Sequence, residues 1–135
     1  MTLHVSTDAA TFDVEVARDG AVREVVWSGA GVAGSLHATP DEASAHGCGW
    51  PPAFAIPTHD GWSSGYHAVT VRAGDEQADA FVVVRPREDD RAPILMVLAT
   101  ATWSAYNDWG GPSLYTGGTN VAFDRPLAPG FLVKS

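Results

Sequence analysis

Residues 11–18, Thr-Phe-Asp-Val-Glu-Val-Ala-Arg, alternate apolar and polar side chains with a period of two. Successive side chains of a strand point to opposite faces, whereas an amphipathic helix needs apolar residues three and four apart. Phe12, Val14 and Val16 therefore share one face, and Asp13 and Glu15 share the other. That pattern fits a strand with one face in a core and the other in water. Asp19-Gly20, a dipeptide suited to tight turns, follows it, and Val22 to Trp27 reads as the returning strand of a hairpin.

The same alternation returns at Tyr66 to Arg72, where His67, Val69 and Val71 fall on one side. Ala73-Gly74-Asp75-Glu76 turns the chain, and Ala80 to Arg85 makes the next strand. Between the hairpins, Gly29, Gly31 and Gly34 and then Gly47-Cys48-Gly49-Trp50-Pro51-Pro52 break the pattern. Proline removes a backbone donor and pushes its predecessor to extended geometry. Only short strands such as Ala53 to Ile56 fit there, and the rest is expected to be loop. Gly29-x-Gly31-x-x-Gly34 has the spacing of a dinucleotide-binding loop, but no helical pattern follows it, so it too is expected as plain loop. The entry Asp60-Gly61-Trp62-Ser63-Ser64-Gly65-Tyr66 into a hairpin is how many immunoglobulin-like sandwiches finish, with the tyrosine anchoring a corner through its hydroxyl. The single cysteine excludes an antibody-type disulfide core.

Residues 86–93, Pro-Arg-Glu-Asp-Asp-Arg-Ala-Pro, are charged and bracketed by prolines, the composition of a short exposed linker. Ile94-Leu95-Met96-Val97-Leu98-Ala99 then runs apolar without a break, as expected for a strand covered on both faces in a parallel sheet. The expected architecture is mainly β: an immunoglobulin-like antiparallel β-sandwich over residues 1–86, a linker over 87–93, and the first strand and loop of an incomplete α/β domain over 94–135.

Composition limits the function. Hydrophobic residues make up 45% of the 135 and charged residues 18%, which suits a folded core rather than a disordered chain. The net charge of -8, with eight Lys and Arg scattered singly, provides no phosphate-binding surface, so nucleic acid is excluded as a partner. No apolar run approaches a membrane span. One cysteine and an opening Met-Thr-Leu-His without a leader pattern point to a cytoplasmic chain.

Chemistry-bearing residues concentrate in 100–118, Thr-Ala-Thr-Trp-Ser-Ala-Tyr-Asn-Asp-Trp-Gly-Gly-Pro-Ser-Leu-Tyr-Thr-Gly-Gly. Loops that leave the carboxyl ends of buried strands collect ligand sites in α/β sheets. Aromatics there either stack on a ligand or seal the junction by packing. The stretch "ILMVLATATWSAYNDWGGPSLY" at 94–115 and "FDRPL" at 123–127 resemble the large (beta) subunit of N,N-dimethylformamidase and its relatives. "FDVEVARDG", "DGWSSGYHAVTV" and "FVVVRP" occur in the same order, so the resemblance covers most of the chain.

The resemblance implies a longer protein in which a β-sandwich precedes an α/β domain similar to class I glutamine amidotransferases. It also implies hydrolysis of a C–N amide bond at an iron held by two tyrosine phenolates and a glutamate. Tyr106 takes the position of one such tyrosine, with the other two ligands expected beyond residue 135. Trp103, Asn107 and Trp109 would line the substrate pocket. The expectation is the front portion of a dimethylformamidase-like amide hydrolase, inactive alone, with no stoichiometric iron. Its partners would be the remainder of a larger chain or other subunits, a second copy of itself among them. Tyr115, Asp108 and Asp124 are the local alternatives as donors, and a phenol of pKa about 10 is not deprotonated by one anchor. The rival expectation is a stand-alone, non-catalytic β-sandwich interaction module, and the exposure of residues 94–135 discriminates between the two.

The remaining candidates are bland. His4, His37, His46, His59 and His67 form no metal-binding spacing. His46 and Cys48, two apart, read as a loop histidine and a small packing cysteine. Ser63-Ser64-Gly65 lacks the nucleophile-elbow spacing.

Overall fold

The structure is a computed structural model that describes residues 1–132. Its first hairpin joins β2 (Thr11–Arg18) to β3 (Glu24–Ala33), after a short β1 (Thr2–Leu3). Its second joins β5 (Gly65–Ala73) to β6 (Glu76–Val84). The hairpins meet through β2 and β5, antiparallel with Val16 opposite Val69, which gives one four-stranded sheet in the order β3-β2-β5-β6. β1 pairs with β4 (Phe54–Ala55) in a separate two-stranded antiparallel sheet. Between the pairs lies α1 (Ala43–His46), a single turn.

The alternation of β2 determines what is buried. Phe12, Val14 and Val16 meet Val69, Ile56 and Trp62 in one core, while Asp13 stays in water. Leu3 and Phe54 of the small sheet pack against that core, and Trp27 of β3 meets Phe54 with ring centroids 5.7 Å apart. Each such buried aliphatic or aromatic side chain contributes about 1.5–3 kcal/mol relative to leaving it exposed. The chain is therefore mainly β, with two antiparallel sheets around a shared core, as a sandwich requires. Tyr66, expected to anchor a corner, stacks instead on Phe81 with centroids 5.4 Å apart.

Two sequence expectations need correction. The returning strand does not end at Trp27: β3 runs on to Ala33, so Gly29 and Gly31 lie inside it rather than in a loop. The pairing register of β2 with β3 slips between Phe12 and Val14. Gly31 takes φ 67 there, and its N–H donates to Asp13 Oδ1 at 2.8 Å. A glycine in left-handed geometry supplies the extra residue of a bulge, so these glycines bend a strand without ending it.

The second correction concerns residues 94–107. Ile94 to Ala99 form no strand, and Thr100–Tyr106 form a helix, α2, where a loop was expected. A ladder needs a partner, and among the described residues no strand pairs with the apolar run. The linker before it is exposed, carrying surface pairs such as Arg87–Asp89 at 3.6 Å. Residues 133–135 of the expected second unit lie outside the described residues.

Candidate functional site

Helical spacing organises the aromatic region. Thr100, Trp103, Ser104 and Asn107 recur at i, i+3, i+4 and i+7, and all four line one cavity of about 220 Å³. Ala80 and Phe81 of β6 also line it, and Ala122, Phe123, Arg125 and Leu127 complete it. Trp103 meets Phe81 edge-on, centroids 5.2 Å apart, so the cavity sits against the sheet.

Asn107 ends the helix and is 2% exposed. Its Nδ2 donates to the Pro126 carbonyl at 2.9 Å, and its Oδ1 accepts from Ala128 N at 3.0 Å and Trp109 N at 3.3 Å. Arg125 completes the same clasp. Its Nε donates to the Ala122 carbonyl at 3.0 Å and Nη1 to that of Trp109 at 2.6 Å. Nη2 donates to the carbonyls of Ser104 at 3.2 Å and Asn107 at 2.9 Å. A guanidinium offers five donors in a rigid fork, and here four bonds go to backbone oxygens, two of them, those of Ser104 and Asn107, at the carboxyl end of α2. Burial pushes the Arg125 pKa below its ordinary value, against the fields of Cys48 and Asp108. Arg125 was visible in the sequence only as the centre of "FDRPL"; a lone arginine between apolar residues and proline gave no other signal.

Of the four residues expected at a site, Trp103 and Asn107 share the cavity wall. Trp109 turns away and meets Trp50 edge-on at 5.9 Å. Tyr106 points outward, 50% exposed, and stacks on Tyr115 with centroids 3.8 Å apart and planes 13° from parallel. The turn that carries Tyr115 is held to α2 by Leu114 N donating to the Ala105 carbonyl at 3.1 Å. The hydrogen bond with Tyr115 is the first cause that holds the Tyr106 phenol above its ordinary pKa of 10.0, followed by the field of Tyr115 and by burial.

That geometry bears on iron. Among the described residues no three His, Cys, Asp or Glu side chains converge. The stacked pair brings two phenol rings together but no carboxylate, and the raised pKa of Tyr106 favours its protonated form over a phenolate. The residues present do not make up a two-phenolate, one-carboxylate donor set. Cys48, beside the Asp124 backbone, has its thiol pushed up by burial and then by Asp124, with Arg125 acting the other way. A raised thiol pKa is the opposite of nucleophile activation. His46 is solvent-exposed next to Glu42.

No helix among the described residues is long and apolar enough to cross a membrane. A family model described as N,N-dimethylformamidase beta subunit-like, C-terminal, matches residues 13–131. The matched region is the C-terminal type of that family, which corrects the expectation of a front portion. No curated protein and no solved structure matches the chain.

Proposed function

The chain belongs to the N,N-dimethylformamidase beta subunit-like, C-terminal family, and from that membership we propose that it is a supporting part of a dimethylformamidase-like amide hydrolase that does not hydrolyse amides by itself. On this reading the immunoglobulin-like sandwich of residues 1–86 is a platform. The linker of 87–93 leads to a segment that belongs in an α/β sheet completed by other polypeptide. Tyr106 is one candidate iron ligand, and Trp103, Asn107 and Trp109 are the candidate substrate contacts, although only Trp103 and Asn107 share a cavity and Tyr106 lies outside it.

The observation that carries the proposal is the exposure of the apolar run: Ile94 is 84% exposed, Leu95 86%, Met96 65% and Val97 82%. Isolated exposed apolar residues are ordinary, but four in succession with unpaired backbone favour a segment covered in the working assembly. Residues 100–132 favour the rival interaction module in part, since Trp103 closes on the sandwich through Phe81. The apolar run does not close, and that tips the balance.

The test is direct. Purified chain should self-associate, and Leu95→Asp should make it monodisperse and still folded, with a melting temperature that no longer depends on protein concentration, because the side chain is 86% exposed within one chain. The wild-type chain should show neither stoichiometric iron nor turnover of dimethylformamide. Turnover lost in Tyr106→Phe, or a Leu95→Asp variant that unfolds, would overturn the proposal.

A further inference from the structure

β6 is the last strand of its sheet, and its outer edge has no partner strand among the described residues. Asp19 N donates to the Tyr66 carbonyl at 3.0 Å, so Tyr66 turns its backbone to the β2 side. Residues opposite one another in an antiparallel pair either bond to each other or both turn away. Tyr66 stands opposite Val83, so the Val83 backbone turns away from β5, and with it every second residue: Phe81, Asp79 and Gln77. None of these four backbones takes a backbone partner elsewhere among the described residues.

Nothing else closes that edge. β6 pairs with β5 from Glu76 to Val84 without a slip in register, and it carries neither proline nor lysine, the devices that commonly keep edges apart. Its one mid-strand charge, Asp79, is occupied by Thr70 Oγ1 at 3.1 Å and Gln77 Nε2 at 3.0 Å. Phe81 lies opposite Ala68, one step from the core residue Val69, and so points to the face away from the core. Trp103 meets it there, which puts α2 over a face of the sheet and leaves Ala80, at the middle of the edge, exposed.

The strand also complements a copy of itself. An antiparallel pairing about a two-fold axis through Ala80 sets Gln77 opposite Val83 and Asp79 opposite Phe81, so all four outward backbones pair with one another. Small Ala80 meets Ala80 on the axis, and Asp75 meets Arg85 at each end. Neither Asp75 nor Arg85 has an ion-pair partner among the described residues. An axis through Asp79 would instead set two carboxylates face to face, which destabilises a strand pair.

We propose that β6 pairs with β6 of a second copy in this register, joining two four-stranded sheets into one. Bare edges exchange bonds with water for bonds with each other at modest net gain, so apolar cover is also required. The exposed Ile94–Val97 runs, each tethered to the end of its β6 by the linker, supply it by closing over the seam. This rests on the reading of the run as a covered segment, and it names the cover: a second copy, held in register by the edge strand.

Sedimentation of the full chain should give a dimer. Ala80→Lys sets two ammonium groups face to face on the axis and should weaken the dimer at least about tenfold. Cysteines read the register. In a Cys48→Ala background, Ala80→Cys places two thiols on opposed residues with Cα atoms about 4.5 Å apart, within the span of a disulfide. Diamide should link it into dimers at least about tenfold faster than Ala78→Cys, whose opposite residue is Val82. The proposal is overturned if the chain is monomeric, if Ala80→Lys sediments like wild type, or if the two cysteine variants link at equal rates. A dimer dispersed by Leu95→Asp but untouched by Ala80→Lys would overturn this seam alone and leave the preceding reading standing.

Discussion

Arg125 offers the sharpest test of how the aromatic region is held. Replacing it with methionine keeps much of the volume and removes all four donor contacts, to the carbonyls of Ala122, Trp109, Ser104 and Asn107. Hydrogen bonds to a charged group contribute about 1.5–3 kcal/mol each, but burying the guanidinium offsets much of that gain. The carbonyls left behind regain water only partly, because Ser104 and Asn107 are buried. The expected loss is roughly 4 kcal/mol, in the range where a broken buried network is the usual cause. Arg125→Lys keeps the charge but has three donors on one atom and cannot reach carbonyls spread along a fork, so about 2 kcal/mol should be lost. Urea denaturation followed by tryptophan fluorescence measures both values. Hydrogen exchange should place the loss in residues 104–128, with the four-stranded sheet still protected. A methionine variant less than about 1 kcal/mol below wild type would refute the clasp, since its carbonyls would then be solvated without the arginine.

Two further outcomes follow from local geometry. A Cβ at Gly47, where φ is 80, would collide with the Asp124 carboxylate, whereas one at Gly49, where φ is 59, meets open space. Gly47→Ala should therefore lose about 1–3 kcal/mol and Gly49→Ala only about 1 kcal/mol, as melting temperatures will show; equal losses would mean the contact is dispensable. For Cys48 the folded thiol pKa lies above its ordinary 9.0, so the folded state keeps a proton that the unfolded chain gives up. The associated stability is intact below pH 9 and declines as pH rises through the folded value. Urea midpoints from pH 8 upward should fall more steeply for wild type than for Cys48→Ala, and identical slopes would contradict the shift.

Both hairpins were legible in the sequence because alternation is a local signal: Phe12, Val14 and Val16 are buried as the period required. The end of β3 was not, because Gly31 looks the same in a loop and in a bulge until its partner Asp13 is seen. The apolar run at 94–99 shows the opposite limit. Composition marked it as a buried strand, but strand formation depends on a neighbour that composition does not describe. Helix α2 was missed because its two threonines and two aromatics are ordinary strand formers, and only the shared cavity wall of Thr100, Trp103, Ser104 and Asn107 reveals the period. At the candidate site, Tyr106 and Tyr115 were noted separately, but nothing in a nine-residue spacing foretells stacked rings.

The bulge in β3 has an effect on how such a chain could assemble. A straight outer strand invites another copy to zip onto it, and a run of copies would grow into a fibre. Here the outer strand is crooked near its end, with one amide already claimed by a carboxylate from the strand inside it. That rim of the molecule is blunted against sideways growth, whereas the opposite rim, β6, runs straight and has no such guard.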